Sequence, residues 1–265
     1  MRTDLFVTTS HRPDPALWAH AQIFASELDC SRETRHAEGM GVLFARRPEA
    51  VRALVVQQER LLLVDRDGWQ FFFHPNLGIL RLRNLLRGQH DFLIDAMRLQ
   101  PGDSVLDCTL GYAGEATLCA HVVGEFGEVH GIEGTQELGI VVREGLPTFE
   151  TENPVMNAAM RRIQVVHLGH HLEFLGTCPD KRYDIVYFDP FFDVAVDVQE
   201  RLGPLKVFGD HSPLTEEALG HARRIARRAV VVKTARWSSL LEQFGITELH
   251  GGRSARVVYG VLSAI

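Results

Sequence analysis

The second half of the chain alternates apolar runs with amphipathic stretches, and this alternation sets the expected fold. Apolar runs typical of buried strands occupy residues 104–108, 128–132, 163–167, 184–188, 229–233 and 255–262. Helical periodicity occupies residues 114–123, 135–146, 214–227 and 237–243. Strands that alternate with helices favour a parallel sheet covered by helices on both faces. The pattern predicts an α/β fold with a Rossmann-like, doubly wound, mostly parallel sheet, whose last strand fits an antiparallel position.

The first half of the chain predicts a smaller α/β unit. Strand-like runs occupy residues 4–10, 51–57, 60–65 and 69–73. A helix is expected from Asp14 to about Leu28, and Arg66-Asp67-Gly68 is a hairpin turn signal between the last two strands. We therefore expect a small N-terminal α/β domain over residues 1–75, an arginine-bearing helical linker over 76–100 and a larger domain over 101–265.

Composition excludes several classes of protein. Of the 265 residues, 45% are hydrophobic and 23% are charged, as in an ordinary globular protein. The net charge of -6 argues against a strongly electrostatic nucleic-acid binder but leaves room for a local basic patch. The four cysteines lack metal-type spacing, and the sequence shows neither a membrane-length apolar run nor a signal-peptide core. We expect a cytoplasmic protein that holds no metal and contacts no membrane.

Residues 183–192, Tyr-Asp-Ile-Val-Tyr-Phe-Asp-Pro-Phe-Phe, carry the most specific signal for function. An apolar strand ends on Asp189, and Pro190 then stiffens the turn, because proline fixes its own φ and restricts the residue before it. The turn sets a carboxylate, a backbone carbonyl and the rings of Phe191 and Phe192 at the carboxyl edge of the sheet, where open α/β folds bind ligands. This set suits a planar nucleobase that carries an exocyclic amine.

Acidic residues end two further strands of the same half. Asp107 is followed by a loop of small residues with Thr109 and Gly111, where glycine lets the backbone approach a ligand closely. Glu133 ends the next strand, where an acid binds ribose hydroxyls in nucleotide-binding α/β folds. The loop matches neither the dinucleotide fingerprint nor a P-loop, and carboxylates beside it would repel phosphate. A nucleoside with a cationic tail fits this charge pattern better, and we expect S-adenosylmethionine as the cofactor.

These segments together resemble a known family. The resemblance rests on four motifs in order: Leu-Asp107-Cys-Thr109-Leu-Gly111, Gly-Ile-Glu133, Val-Tyr-Phe-Asp189-Pro190-Phe191-Phe192 and Val-Val-Val-Lys233. The chain resembles class I S-adenosylmethionine-dependent methyltransferases and, more narrowly, the small-subunit rRNA guanine-N2 methyltransferase family with its Gram-positive-type relatives. The resemblance runs from about residue 70 to the end, and the segment Phe71-Phe-Phe-His74-Pro75-Asn76 is similar to those relatives in particular.

The resemblance implies a set of cofactor contacts and exposes some departures. The implied contacts are Gly114 and Glu115, Glu133 and Gly134, the turn at His170 and His171, and Asp189. Ala113 stands where the family has its second loop glycine, and Gly114 stands where an arginine is common. His170 takes the adenine-side position that is often acidic or hydroxyl-bearing. These departures put the individual contacts in question more than the fold.

For catalysis, we expect the Asp189 carboxylate and the Pro190 carbonyl to accept the two hydrogens of the target amine. This draws the nitrogen lone pair out of conjugation with the ring. Phe191 or Phe192, with Phe192 favoured, would stack on the base, and such stacking contributes roughly 1–3 kcal/mol per base. The target base must be unpaired or flipped out to be reached.

Basic residues are candidate contacts to the substrate. Arg81, Arg83 and Arg87 recur on roughly one side of the predicted helix, which indicates either a phosphate-contacting stripe or a solvated face. Lys233 ends a strand beside the crevice and Arg236 follows three residues later. Both are candidates for contact with substrate phosphate or the target base, or they cap the strand in solvent.

The favoured function is methylation of an exocyclic guanine amine in ribosomal RNA. A methyltransferase for a small molecule or another nucleic acid is the first alternative, because the Asp-Pro-aromatic step also suits adenine and cytosine amines. A non-catalytic protein that binds the cofactor is the second. The apolar content of residues 51–80 fits either a homodimer face or an interface between domains.

Overall fold

The computed structural model describes residues 1–75, 78–191 and 203–265, which form two β-sheets with helices packed on them. Phe192, one of the two rings expected to stack on the base, lies outside the described residues. Within these ranges no helix is both long and apolar enough to cross a membrane.

The N-terminal sheet has five strands in the order β2-β1-β3-β4-β5. Its elements are β1 (Arg2–Thr9), α1 (Pro15–Glu27), β2 (Cys30–Arg32), α2 (Met40–Arg46), β3 (Arg52–Val56), β4 (Leu61–Asp65) and β5 (Gln70–Phe71). Strand β1 runs parallel to β2 and β3, whereas β3, β4 and β5 form an antiparallel meander. The predicted hairpin turn is confirmed, and Gly68 adopts a φ of +93° in it. The sequence pattern does not predict α2, a helix of only seven residues.

The C-terminal sheet has seven strands in the order β11-β12-β10-β9-β6-β7-β8. Its elements are β6 (Ser104–Asp107), α5 (Gly114–Val123), β7 (Glu128–Glu133), α6 (Gln136–Thr148), α7 (Pro154–Met160), β8 (Ile163–Leu168), α8 (His171–Thr177), β9 (Tyr183–Phe188), α9 (Pro204–Phe208), α10 (Glu216–Ile225), β10 (Ala226–Ala235), α11 (Ser239–Gln243), β11 (Glu248–His250) and β12 (Val257–Ser263). Strands β6 to β10 run parallel and β12 pairs antiparallel with β10, as predicted. The short strand β11 extends the edge beyond β12.

Both faces of the C-terminal sheet are covered, which confirms the doubly wound architecture. Val105 and Val231 point into an apolar cluster that contains residues of α5 and α6. Their strand neighbours Leu106 and Val232 point into a second cluster that contains residues of α8 and α10. Successive strand residues face opposite sides of a sheet, so strands buried on both faces appear in the sequence as continuous apolar runs.

The segment that joins the two sheets is helical. Its helices are α3 (Gly78–Leu86) and α4 (Phe92–Met97). Asp91 caps α4, because its carboxylate accepts the backbone N–H of Leu93 at 3.0 Å. Leu82, Leu93 and Met97 are buried in the same apolar cluster as α5, so this segment is packed against the C-terminal sheet.

The N-terminal sheet rests on α6 through apolar and ionic contacts. Phe71 belongs to the same apolar cluster as Val141 of α6. Glu137, in the first turn of α6, is buried and accepts hydrogen bonds from Arg2 at 3.1 Å and from Arg52 at 2.9 Å. Because a buried carboxylate is costly unless it is paired, these two guanidinium groups fix the first sheet on the second.

Gly78 is a point of close contact between α3 and α5. A Cβ at this position would lie 3.0 Å from the Cα and 3.3 Å from the carbonyl oxygen of Gly114. We expect Gly78→Ala to lower the free energy of unfolding by about 1–3 kcal/mol, because the neighbouring backbone atoms cannot yield as a flexible side chain would. Chemical denaturation measures this effect.

Gly220→Ala is the matched control for Gly78→Ala. Gly220 is also helical, but apart from its chain neighbours and the backbone of its own helix no described atom lies within 4 Å of the added Cβ. We expect this variant to gain roughly 0.5–1 kcal/mol, because alanine favours a helix interior over glycine. A Gly78→Ala variant as stable as the parent would contradict the close packing of α3 on α5.

Candidate active site

A crevice of about 400 Å3 opens at the carboxyl ends of β6, β7, β9 and β10. Most of the residues singled out from the sequence line it, namely Arg81, Thr109, Gly111, Gly114, Glu115, Glu133, Gly134, His171, Asp189, Pro190, Phe191 and Lys233. The other predicted residues within the described ranges lie outside this lining: Asp107, His170, Arg83, Arg87 and Arg236. The structure therefore brings the strand-end acids, the loop glycines and the Asp-Pro turn to one place.

Asp107 lies beneath the crevice and stabilises the backbone that forms its floor. Its side chain is only 2% exposed, and its carboxylate accepts the backbone N–H of Thr109 at 3.0 Å. The hydroxyl of Thr109 in turn accepts the backbone N–H of Asp189 at 2.7 Å. Burial raises the pKa of Asp107 to about 8. The loop after β6 and the turn after β9 are thus tied together through Thr109.

Glu133 ends β7 at the opposite side of the crevice. Its carboxylate is 5% exposed and accepts backbone N–H groups from Gly111 at 3.0 Å and from Thr135 at 3.1 Å. Burial raises the pKa of Glu133 to about 7. Gly111 has a φ of +50°, a conformation that favours glycine and turns its N–H toward this carboxylate.

Asp210 is a second acid at this end that the sequence pattern does not reveal. It lines the crevice, and a Cβ at Gly134 would lie 2.5 Å from Asp210 Oδ2, so the carboxylate sits directly over Gly134. The carboxylate also accepts the N–H of Ser212 at 2.9 Å. Asp210 follows α9 in the chain and ends no apolar strand, so strand-end reasoning could not find it.

The two histidines have different positions. His170 caps α8, where its Nδ1 accepts the backbone N–H of Leu172 at 3.3 Å. His171 is 7% exposed, lines the crevice and packs edge-on against Phe188. Burial lowers the pKa of His171 to about 4, so the ring is neutral near pH 7. Its buried Nε2 has no hydrogen-bond partner among the described residues.

The Asp-Pro turn forms the other end of the crevice. Lys233 of β10 donates from Nζ to Asp189 Oδ2 at 2.6 Å. The ring of Phe191 stacks on His211 with centroids 4.2 Å apart and an interplanar angle of 17°. Pro190 lines the crevice between them. The carboxylate, the proline and one aromatic ring therefore lie together, as the sequence predicts for this turn.

A chain of alternating charges surrounds Asp189. Lys233 Nζ also donates to Glu115 Oε1 at 3.1 Å, and Arg81 donates to the same oxygen at 2.7 Å. Arg81 in addition binds Asp91 at 2.7 and 3.0 Å. Burial alone would raise the pKa of Glu115, but the charges of Lys233 and Arg81 lower it to about 2.

The predicted arginine stripe on α3 is wrong for Arg81. Arg83 and Arg87 are exposed, whereas Arg81 is partly buried by its carboxylate partners. Successive helical residues are about 100° apart, so Arg83 faces away from Arg81 on α3, and Arg87 lies in the turn that follows the helix. Arg236 lies outside the lining and donates to the carbonyls of Gly252 and Ala255, at 2.6 and 2.9 Å.

The N-terminal sheet contacts elements that line the crevice. Tyr112 lines it and stacks on Phe71 and His74, with ring centroids 4.8 and 5.0 Å apart. Arg52 donates to the carbonyl of Val207 in α9, the helix that carries Leu205 into the lining. The lining residues that sequence reasoning missed are Pro75, Gly78, Cys108, Leu110, Tyr112, Leu205, Gly209, Asp210, Val257 and Tyr259.

Comparison with known proteins defines the class of fold and the family. The SAM-dependent methyltransferase NGO1261 from Neisseria gonorrhoeae is similar over 98% of this chain and 96% of its own, with a TM-score of 0.64 and 16% sequence identity. The chain therefore has the fold of a class I SAM-dependent methyltransferase. The uncharacterized protein YpiP of Bacillus subtilis (strain 168) is 37% identical over 259 residues, which span 97% of this chain and 98% of YpiP. The chain belongs to the same family as YpiP. No family model matches it.

Proposed function

We propose that this protein is an S-adenosylmethionine-dependent N-methyltransferase that acts on the exocyclic amine of a nucleobase, with a guanine of small-subunit rRNA as the favoured target. The observation that carries the proposal is that Glu133 and the Asp189-Pro190 turn line the same crevice. One end offers a carboxylate to the hydroxyls of a nucleoside. The other end offers a carboxylate and a carbonyl to an amine.

The Glu133 end fits a nucleoside with a cationic tail. The buried Nε2 of His171 lacks a partner in the described part of the chain, and a polar atom of a bound base would satisfy it. Asp210 adds a negative charge to this end, which opposes a phosphate and suits a cation. We assign Glu133 to the ribose hydroxyls, His171 to the base, and Gly111 and Gly114 to close backbone contacts. When bound, S-adenosylmethionine supplies a methyl group on a sulfonium centre.

The residues of the chain align the amine and receive its proton. Because Lys233 binds Asp189 Oδ2, we assign the amine to Oδ1 of the same carboxylate, with the Pro190 carbonyl as the second acceptor. Both acceptors draw the lone pair of the amine nitrogen out of conjugation, and Oδ1 takes the proton that this nitrogen loses. Holding the amine in one orientation and excluding water supplies much of the expected rate enhancement. Stacking on the target base is assigned to Phe191 or Phe192, with Phe192 favoured.

The proposed RNA substrate is supported by exposed cations next to the crevice. Arg83 lies on α3 and Arg87 lies in the turn that follows it, and the α3 residues Gly78 and Arg81 line the crevice. Guanidinium groups are well suited to phosphate, and such contacts fix the register of a nucleic acid on a protein. We therefore assign Arg83 and Arg87 to the phosphates that flank the target base, while Arg81 and Lys233 organise the carboxylates inside the crevice.

The test is transfer of a labelled methyl group to unmodified RNA. The purified chain is incubated with S-adenosylmethionine labelled in its methyl group and with small-subunit rRNA made by transcription, and the RNA is digested to nucleosides. We expect the label in N2-methylguanosine. Label in another nucleoside would contradict the guanine assignment, and label only in a small-molecule amine would contradict RNA as the substrate.

Single charge reversals test the assigned RNA contacts. We expect Arg83→Glu and Arg87→Glu each to reduce transfer to RNA by about tenfold or more at low salt, without changing cofactor affinity. Arg161→Glu is the control, because Arg161 lies just before β8, at the amino edge of the sheet. Equal losses for all three variants would contradict a specific role for Arg83 and Arg87.

A further inference from the structure

We propose that Lys233 is a positioning residue that keeps the carboxylate of Asp189 ionised, so that this carboxylate accepts the target amine. The catalytic meaning of this inference rests on the proposed function. Its structural part, the control of the charge on Asp189, does not. The sequence alone suggested a contact between Lys233 and the substrate, whereas the structure shows its ammonium group already bound between two carboxylates.

The geometry shows one cation shared by two acids. Lys233 Nζ lies 2.6 Å from Asp189 Oδ2 and 3.1 Å from Glu115 Oε1. Arg81, at 2.7 Å, is the second cation on Glu115, and Asp91 orients Arg81 by binding it on its other side. Lys233 is the cation that contacts Asp189, whereas Glu115 contacts both Lys233 and Arg81. The protonation of Asp189 therefore depends on Lys233 more strongly than the protonation of Glu115 does.

The ionisable side chains that act on the ion pair of Asp189 and Lys233 come from five elements: Asp107 of β6, Glu115 of α5, Arg81 of α3, Tyr187 of β9 and Tyr259 of β12. Burial raises the pKa of both tyrosines above the ordinary value, so they are uncharged at neutral pH. Burial also favours the neutral form of Asp107. The charges that act on Asp189 near pH 7 are therefore those of Glu115, Arg81 and Lys233.

Removal of Lys233 would favour the protonated form of Asp189. Burial and the nearby charge of Glu115 both raise the pKa of Asp189, and Lys233 is the largest influence that lowers it. A protonated Asp189 has an O–H donor in place of an acceptor, so it would oppose an amine hydrogen instead of receiving it. The lysine thus determines whether the carboxyl group can act on an amine.

The test is a titration of Asp189 in the protein without cofactor or substrate. Carbon-13 NMR of chains labelled at the aspartate carboxyl carbons follows protonation, and the signal of Asp189 is the one absent from Asp189→Asn. We expect Lys233→Met to raise the midpoint of this titration by about 1–3 pH units, as removal of an adjacent opposite charge does. In Lys233→Arg the midpoint should lie close to that of the parent, because arginine returns a cation to the same place.

Glu115→Gln is expected to shift the midpoint of the Asp189 titration in the opposite direction. It removes the like charge beside Asp189 and leaves Lys233 to pair with Asp189 alone, so the midpoint should move down. It also tests the proposal if Lys233→Met does not fold, which thermal unfolding would reveal. A midpoint that stays within about 0.3 pH units of the parent in whichever of the two variants folds would overturn the inference.

The catalytic part has a separate readout. Methyl transfer requires ionised Asp189, so the rate should rise with pH through the midpoint of that group, and in Lys233→Met this rise should move to higher pH by the shift seen in the titration. An NMR shift without any transfer by the parent to a nucleic acid or a small amine would overturn the proposed function and leave the electrostatic inference standing. A parallel shift of rate and NMR midpoint supports both.

Discussion

Replacing Asp189 with alanine is expected to reduce methyl transfer by about a thousandfold or more while the chain stays folded. The substitution removes the acceptor of one amine hydrogen and the group that takes the proton. A thousandfold loss corresponds to about 4 kcal/mol of the barrier. The fold should persist because Lys233 keeps Glu115 as an ionic partner and because the backbone N–H of Asp189, which Thr109 accepts, is unchanged.

The measurement for Asp189→Ala is kcat with the RNA substrate, together with the affinity for S-adenosylhomocysteine and the unfolding temperature. Asp180→Ala is the control, since Asp180 lies in the turn before β9 and its exposed carboxylate pairs with Arg224. We expect the control to match the parent in all three quantities. Activity of Asp189→Ala within about tenfold of the parent, only ~1.4 kcal/mol of barrier, would remove Asp189 from the catalytic role.

Replacing Glu133 with alanine is expected to weaken cofactor binding by about a hundredfold. The carboxylate is assigned to the ribose hydroxyls, and its loss also leaves the N–H groups of Gly111 and Thr135 without their acceptor. A hundredfold loss corresponds to about 2.7 kcal/mol, and a charged acceptor that binds two hydroxyl groups can contribute this much. Calorimetric titration with S-adenosylhomocysteine measures the effect.

A deoxyribose analogue separates the direct from the indirect part of this loss. If Glu133 binds the hydroxyls, the parent should discriminate between S-adenosylhomocysteine and its 2′-deoxy analogue, and Glu133→Ala should discriminate much less. Glu128→Gln is the control on the same strand, because Glu128 is exposed and pairs with Arg182 at 2.8 Å. Unchanged discrimination in Glu133→Ala would show that this residue acts only through the loop.

The raised pKa of Glu133 gives the same assignment a pH signature. The ionised carboxylate is the better acceptor for hydroxyl groups, and burial raises the pKa of Glu133 to about 7 in the crevice. Affinity for the cofactor should therefore increase as the pH rises through about 7, with a proton released on binding below that pH. Calorimetry in buffers of different ionisation enthalpy detects this proton, and Glu133→Ala should abolish it.

The sequence predicts the features that follow from an apolar strand and its end. Asp107, Glu133, Asp189 and Lys233 each lie at or near the end of an apolar run, and in a parallel sheet such ends share one edge. Their gathering at one edge of the C-terminal sheet is therefore foreseeable without coordinates. The same logic gives the order of strands and helices and the antiparallel position of the last long strand.

The sequence does not predict the ionic and stacking partners of the lining residues, because these contacts arise from tertiary packing. No local pattern marks Asp91 and Glu115 as the ionic partners of Arg81, each of which lies 2.7 Å from its guanidinium group. Tyr112 reaches the lining through a stack on Phe71 of the other sheet, and Asp210 through a turn over Gly134. Each contact joins elements that are distant in sequence, so no local sequence pattern predicts it.

The measurement that tests the central claim most directly is calorimetric titration of the unaltered chain with S-adenosylmethionine and S-adenosylhomocysteine. We expect micromolar binding of both ligands at one site per chain, which corresponds to about -8 kcal/mol. Absence of binding at millimolar concentrations of either ligand would contradict the account, because the crevice that holds Glu133, His171 and Asp189 would then serve another purpose.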